Sequence, residues 1–169
     1  MRMSIIVGLA AGSILAVTAL SASAEDNGPA ALAKALAEAS VPLEQGLSAA
    51  AREGTPISGK FEIEDGALQL SVYTMKDGQF AEVIVDHKSG VIKKTEKITE
   101  GDDLKAAKKQ SRAMAKAKVP LDQAVAGAVA ANSGYRAVGV TPRLKGGVPV
   151  ADVTLMKGAK VKKATAKLD

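Results

Sequence analysis

Between residues 28 and 54 the apolar positions recur every three or four residues, and from residue 58 they alternate one by one. "GPAALAKALAEAS" is rich in Ala, Leu, Lys and Glu, and Leu32 and Leu36 share one helical stripe. "VPLEQGLSAAARE" follows. Pro42 suits the first turn of a second helix, where its missing N–H costs nothing, and Glu44 sits near the positive end of the helix dipole. Gly54 stops the run. The expected pattern is helix, tight break, helix.

The next stretch, "GKFEIEDGALQLSVYTMKDGQFAEVIVDHKSGVIKKTEKI", breaks at "EDG", "KDG" and "KSG". Phe61 and Ile63, then Leu68, Leu70 and Val72, then Ala81, Val83 and Val85 occupy alternate positions. Alternation punctuated by Asp-Gly and Ser-Gly predicts hairpins, so strands are expected near 58–64, 67–75, 79–86 and 90–98. They form an antiparallel meander with one apolar face, and the two preceding helices are the expected cover.

The second half repeats this order. "DDLKAAKKQSRAMAKAK" reads as a helix capped by Asp102 or Asp103, with a basic outer side. "VPLDQAVAGAVAANSG" reads as another, with Leu121, Val125 and Val129 in one stripe, and strands broken at "KGG" and "KG" follow. "SVPLEQGLSAAA" and "KVPLDQAVAGAV" stand 78 positions apart, and "YTMKDG" answers "VTLMKG" at an offset of 80. That difference places two extra residues in the second copy, near its first turn. The second copy ends at Leu168-Asp169 and so lacks a fourth strand. The expected fold class is α+β: two tandem helix–helix–antiparallel-meander units, residues 25–100 and 101–169.

Residues 1–24 stand apart from this programme. Arg2, an apolar run from Ile5 to Leu20 and the small residues Ala22-Ser23-Ala24 describe a secretory signal peptide, cut between Ala24 and Glu25. The same run also reads as an uncleaved anchor helix. Cleavage implies a periplasmic or secreted protein. With no cysteine, neither a lipidated cysteine nor a disulfide is available.

Charge divides the chain. Residues 25–100 hold 8 Lys/Arg against 13 Asp/Glu, a net of −5, and residues 101–169 hold 14 against 5, a net of +9. Such asymmetry points to a polar partner or surface, or to head-to-tail self-association. Lys105, Lys108, Lys109, Arg112 and Lys116 fall on one broad helical side and form a candidate basic contact face for anionic lipid or an acidic protein. Nucleic acid is not expected, because Tyr135 alone supplies no stacking platform and export removes the target.

Chemistry-bearing constellations are sparse. His87 is the single histidine, read as an exposed turn residue, and one His without Cys makes no closed zinc site. Glu62, Glu64 and Asp65 cluster without calcium-loop spacing. Ser48 and Ser58 have no local base, and neither a G-x-S-x-G elbow nor a phosphate loop occurs. The expectation is a protein without catalytic residues, metal or cofactor.

An export signal, an Ala-rich helix, "VPLEQGLSAA" and a meander closing in "AEVIVDHKSGVI" together resemble the PepSY domain family. Val85, Asp86, Ser89 and Gly90 fall on that family's closing V-D-x-x-[ST]-G-x-V signature. The likeness covers 30–98 and, more loosely, 104–169. It implies an exported or membrane-associated domain related to a piece of thermolysin-like protease propeptides, a class for which protease inhibition has been proposed. Tandem units of this kind also resemble the β-lactamase inhibitor protein fold. The function so implied is a non-catalytic binding or regulatory module acting on a protease or another envelope protein. The alternative is a small-ligand or cation binder using the groove between the repeats. For the leader, the expected intact mass of protein exported from a native-like host is that of a chain starting at Glu25. A mass matching all 169 residues would favour the anchored form.

Overall fold

The computed structural model describes residues 28–169, so the cleavage site at Ala24 and Glu25 lies outside the described residues. Helix α1 spans Pro29–Ala35 and runs into a 3-10 turn, Leu36–Glu38; α2 spans Leu43–Ala50. Strands β1 (Thr55–Glu64), β2 (Ala67–Lys76), β3 (Gln79–Val85) and β4 (Ile92–Ile98) follow. Helices α3 (Gly101–Met114) and α4 (Leu121–Ala130) then precede β5 (Arg136–Lys145), β6 (Val148–Lys157) and β7 (Lys160–Lys167).

The seven strands make one antiparallel sheet in the order β4-β3-β2-β1-β5-β6-β7. Its two parts meet where β1 pairs with β5, through Gly59 opposite Val140 and Lys60 opposite Gly139. Helices α2 and α4 pack against each other and onto one side of this sheet. Gly59 lies under α2, and a Cβ there would come within 3.1 Å of Leu47 Cδ2, so glycine lets helix and seam approach. Leu43, Leu47, Leu70, Val72 and Val83 from the first half share one core with Leu121, Val125, Val140, Val153 and Leu155 from the second.

Helix α3 behaves differently. Gln110 accepts a hydrogen bond from Ser58 Oγ at 2.9 Å. Strand alternation points Ser58 away from the side that Gly59 presents to α2. Thus α3 approaches β1, β5 and β6 from the opposite side, burying Ala107 and Ala113. The expectation that each helix pair covers one apolar face fails for α3, whereas Leu32, Ala33 and Leu36 of α1 and its 3-10 turn pack against the shared core with α2 and α4. The reason lies in α3 itself: its inward positions are small or polar, so it suits the polar side of a sheet.

Three finer expectations also change. Asp102 and Asp103 do not cap α3; Glu100 takes the N-cap position without a side-chain cap bond, and the two aspartates lie in the first turn. Pro42 and Pro120 stand at the N-caps in extended conformation, immediately before the first turns of α2 and α4. The strand offset is 81, not 80: Glu64↔Ala67 answers Lys145↔Val148, and Lys76↔Gln79 answers Lys157↔Lys160. The likeness of "KDG" to "MKG" in the text pairs Gly78 with Gly158. In space Gly158 (φ 55°) instead occupies the first turn position held by Asp77 (φ 52°). Helix α4 has 10 residues to the 8 of α2, and the following connection takes up the remaining difference.

A shared core predicts joint failure. Leu47→Ala is expected to cost about 2–5 kcal/mol and to lower one cooperative transition for the whole chain. Leu144→Ala, at an exposed position, should stay within about 0.5 kcal/mol. Urea melts followed by circular dichroism check both; two separate transitions would count against the single core.

Candidate functional site

On the side of the sheet away from α2, the first half carries alternating polar residues: Lys60 and Glu62 on β1, Gln69, Ser71 and Tyr73 on β2, and Glu82 on β3. They are tied to one another. Ser71 Oγ donates to Glu62 Oε1 at 2.9 Å while accepting from Gln69 Nε2 at 2.9 Å. Lys60 pairs with Glu62 and hangs 5.8 Å from the centre of the Tyr73 ring. Lys94 pairs with Glu96 at 2.8 Å on β4. Burial pushes the Tyr73 phenol well above its ordinary range, and the neighbouring Glu82, Glu62 and Asp103 carboxylates add to this, so the hydroxyl stays neutral. The result is a prearranged polar floor, rimmed by Glu64, Asp65, Lys93 and Asp103.

Where this floor meets the β1–β5 seam, a hollow of about 390 Å³ opens beneath α3. Lys60, Tyr73, Asp103, Gln110, Thr141 and Thr154 line it, with the bare backbones of Gly59 and Gly139 between them. Beyond the seam, Arg143 on β5 holds Asp152 on β6 through two hydrogen bonds, the longer at 3.1 Å, and Thr165 Oγ1 on β7 donates to the same carboxylate at 2.9 Å. Arg143 keeps Asp152 below the usual carboxylate range despite partial burial.

Val85, Asp86, Ser89 and Gly90 form the turn between β3 and β4. Asp86 Oδ1 accepts from the backbone N–H of Lys88 (2.9 Å) and Ser89 (2.7 Å) and from Ser89 Oγ (3.0 Å), and Oδ2 pairs with Lys93 at 3.0 Å. Gly90, at φ 76°, turns the chain so that its N–H reaches the Asp86 carbonyl at 2.8 Å. The motif is a structural clip. The bond from Ser89 N–H leads the causes that hold the Asp86 carboxyl far below its ordinary range.

His87 is half-buried, not fully exposed as expected, and its Nδ1 is buried without a hydrogen-bond partner. Its carbonyl accepts from Ser40 and Val41 N–H at 2.9 and 3.0 Å, locking the break between α1 and α2 onto the turn. The Leu168 carbonyl does the same for Lys118 and Val119 at 2.6 and 3.1 Å.

Lys105, Lys108, Lys109, Arg112 and Lys116 are all exposed on α3 and the turn that ends it. Lys105 pairs with Asp102 at 2.8 Å and Lys116 Nζ lies 3.4 Å from the Gly147 carbonyl oxygen. Ser58 is spent on Gln110, and Ser48 Oγ sits 2.9 Å from Asp122 Oδ2, bridging α2 to α4. Among the described residues no group of three or more His, Cys, Asp or Glu side chains could hold a metal ion, and no helix is long and apolar enough to cross a membrane. Set against family models, curated proteins and solved structures, the chain finds no match in any of the three. The polar floor was not expected from sequence, and the groove between the repeats was expected without its lining residues. The run of polar alternates at Lys60, Glu62, Ser71 and Tyr73 was the available signal, and it reads as ordinary solvent exposure until α3 is placed beside it.

The Asp86 clip yields a pH prediction. Its carboxyl is depressed in the fold, so its contribution is full above the unfolded value of about 4 and fades as pH falls towards the folded value. Asp86→Ala should therefore lower the urea midpoint at about pH 7, with the gap to the parent narrowing at about pH 3. An equal gap at both values would refute the assignment.

Proposed function

We propose that this protein is a non-catalytic binding module that presents the polar side of its sheet to a protein partner in the cell envelope. One observation carries the reading. Glu62, Gln69 and Ser71 are tied by hydrogen bonds, Lys60 pairs with Glu62, and Tyr73 lies beside Lys60, all on the side of β1 and β2 away from α2. Pre-ordered side chains lose little freedom on binding, which favours recognition over turnover.

Within this proposal the chain is a duplicated helix–helix–meander, exported after cleavage at Ala24, and PepSY-like in its Asp86 clip. The common offset of 81 in both hairpins and the paired carbonyl locks at His87 and Leu168 support the duplication. A protease of the envelope is the partner class that the family resemblance suggests.

A second reading uses the seam hollow. Its mixed lining of Lys60, Tyr73, Gln110 and Thr154 suits a small polar ligand held between the two halves. Thermal shift against metals and small anions separates the two readings, because a ligand bound only by the native state raises the melting temperature. For the main reading, cross-linked pull-down from envelope extract should retain a partner with the parent protein and lose it with Glu64→Lys/Glu82→Lys/Glu96→Lys. Equal recovery by both proteins would sink the open-face assignment.

A further inference from the structure

A second surface lies on the outer side of α3, next to the polar floor. At 100° per residue, Lys105, Lys108, Lys109, Arg112 and Lys116 fall within a stripe about 100° wide on the surface of α3 and its terminal turn, opposite the buried Ala107 and with the buried Ala113 at the margin. Their charges are poorly neutralised: among the described residues no carboxylate lies within ion-pair distance of Lys108, Lys109 or Arg112, and of the five only Lys105 has one. The stripe ends at the β5–β6 hairpin, where Lys116 Nζ meets the Gly147 carbonyl.

That hairpin tip is unusual in itself. Leu144, Lys145, Gly146, Gly147 and Val148 are all exposed. Leu144 and Val148 are two of the four large apolar side chains left exposed among the described residues, at 39% and 42%. Alternation puts them on opposite faces of the tip: Leu144 follows Val140 and Pro142, while Val148 pairs with Lys145. An apolar point therefore projects beside a row of free cations.

We propose that this edge of the molecule docks on an anionic phospholipid bilayer, with Leu144 and Val148 entering the interface and Lys108, Lys109 and Arg112 lying against the headgroups. Protein hot spots are built around buried anchors in pockets, and the stripe has no aromatic or large apolar residue between its cations. Mobile ammonium groups next to a small apolar point match a fluid charged interface, where shallow burial and diffuse attraction add. The acidic first half, at −5, is repelled by the same headgroups, which would orient the α3–hairpin edge inwards.

Vesicle co-sedimentation of the protein as recovered from its host tests this, with every variant carrying the same N-terminus as verified by mass. On vesicles with roughly 30% phosphatidylglycerol at about 50 mM salt, the parent should bind at least about tenfold more than on phosphatidylcholine alone, and lose that margin by about 500 mM salt. Lys108→Glu/Lys109→Glu/Arg112→Glu should remove the margin. Lys34→Glu/Lys76→Glu/Lys97→Glu, an equal change in net charge at exposed first-half positions, should keep it. Circular dichroism verifies that both variants fold. The chain has no tryptophan, so Leu144→Trp is a clean depth probe and its emission should shift to the blue on anionic vesicles. Equal loss from both charge reversals, equal binding to both lipids, or an unshifted emission would each overturn the proposal. Capture by soluble polyglutamate without vesicle binding would replace the bilayer by an acidic protein.

Discussion

Everything else in this structure depends on the short contact between β1 and β5. Gly59, Lys60, Gly139 and Val140 join two meanders edge to edge. Without that seam, each part would expose a strand edge and a half-filled core. With it, α2 and α4 face each other across one sheet, and Ser48 on α2 comes within reach of Asp122 on α4. The two outer edges that remain, β4 and β7, read "IKKTEKI" and "KVKKATAK". Lysine-rich edges resist further strand addition, so growth of the sheet stops at seven strands.

The same constraint explains why one side of the sheet is left to polar residues. The cores of both halves merge beneath α2 and α4 on the apolar side. Helix α3 is then released to the other side, where Gln110 and Asp103 border polar residues. A polar floor of this kind needs internal order, since unsatisfied groups near a covering helix are costly. The bonds joining Gln69, Ser71, Glu62 and Lys60 supply that order.

Most of the fold was legible because its signals are local. Alternation at Leu70/Val72 and Val83/Val85 named the core strands, and all four are buried. Asp65-Gly66 and Asp77-Gly78 adopt positive φ at both positions, the geometry that "DG" between alternating runs requires. What stayed hidden was non-local. The meeting of Gly59 with Val140 joins residues far apart in sequence, and no periodicity reports it. The side chosen by α3 follows from competition with α4 for the apolar face. The basic stripe was readable as a helical face, whereas its continuity with the Leu144–Val148 tip depends on Lys116 reaching Gly147.

The uneven charge of the two halves is compatible with this fold because none of it enters the core. Four of the six ion pairs among the described residues lie in the first half, which leaves most second-half cations unpaired. In a buried setting such excess would be prohibitive, but these side chains are exposed, where water and salt reduce repulsion to a small term. Stability is carried instead by Leu121, Val125, Val140, Val153 and Leu155, each almost wholly buried. The sign of the second-half surface is therefore not dictated by folding. The exposed lysines and arginines along α3 and the adjoining hairpin are thus open to the anionic surface proposed above without cost to the core.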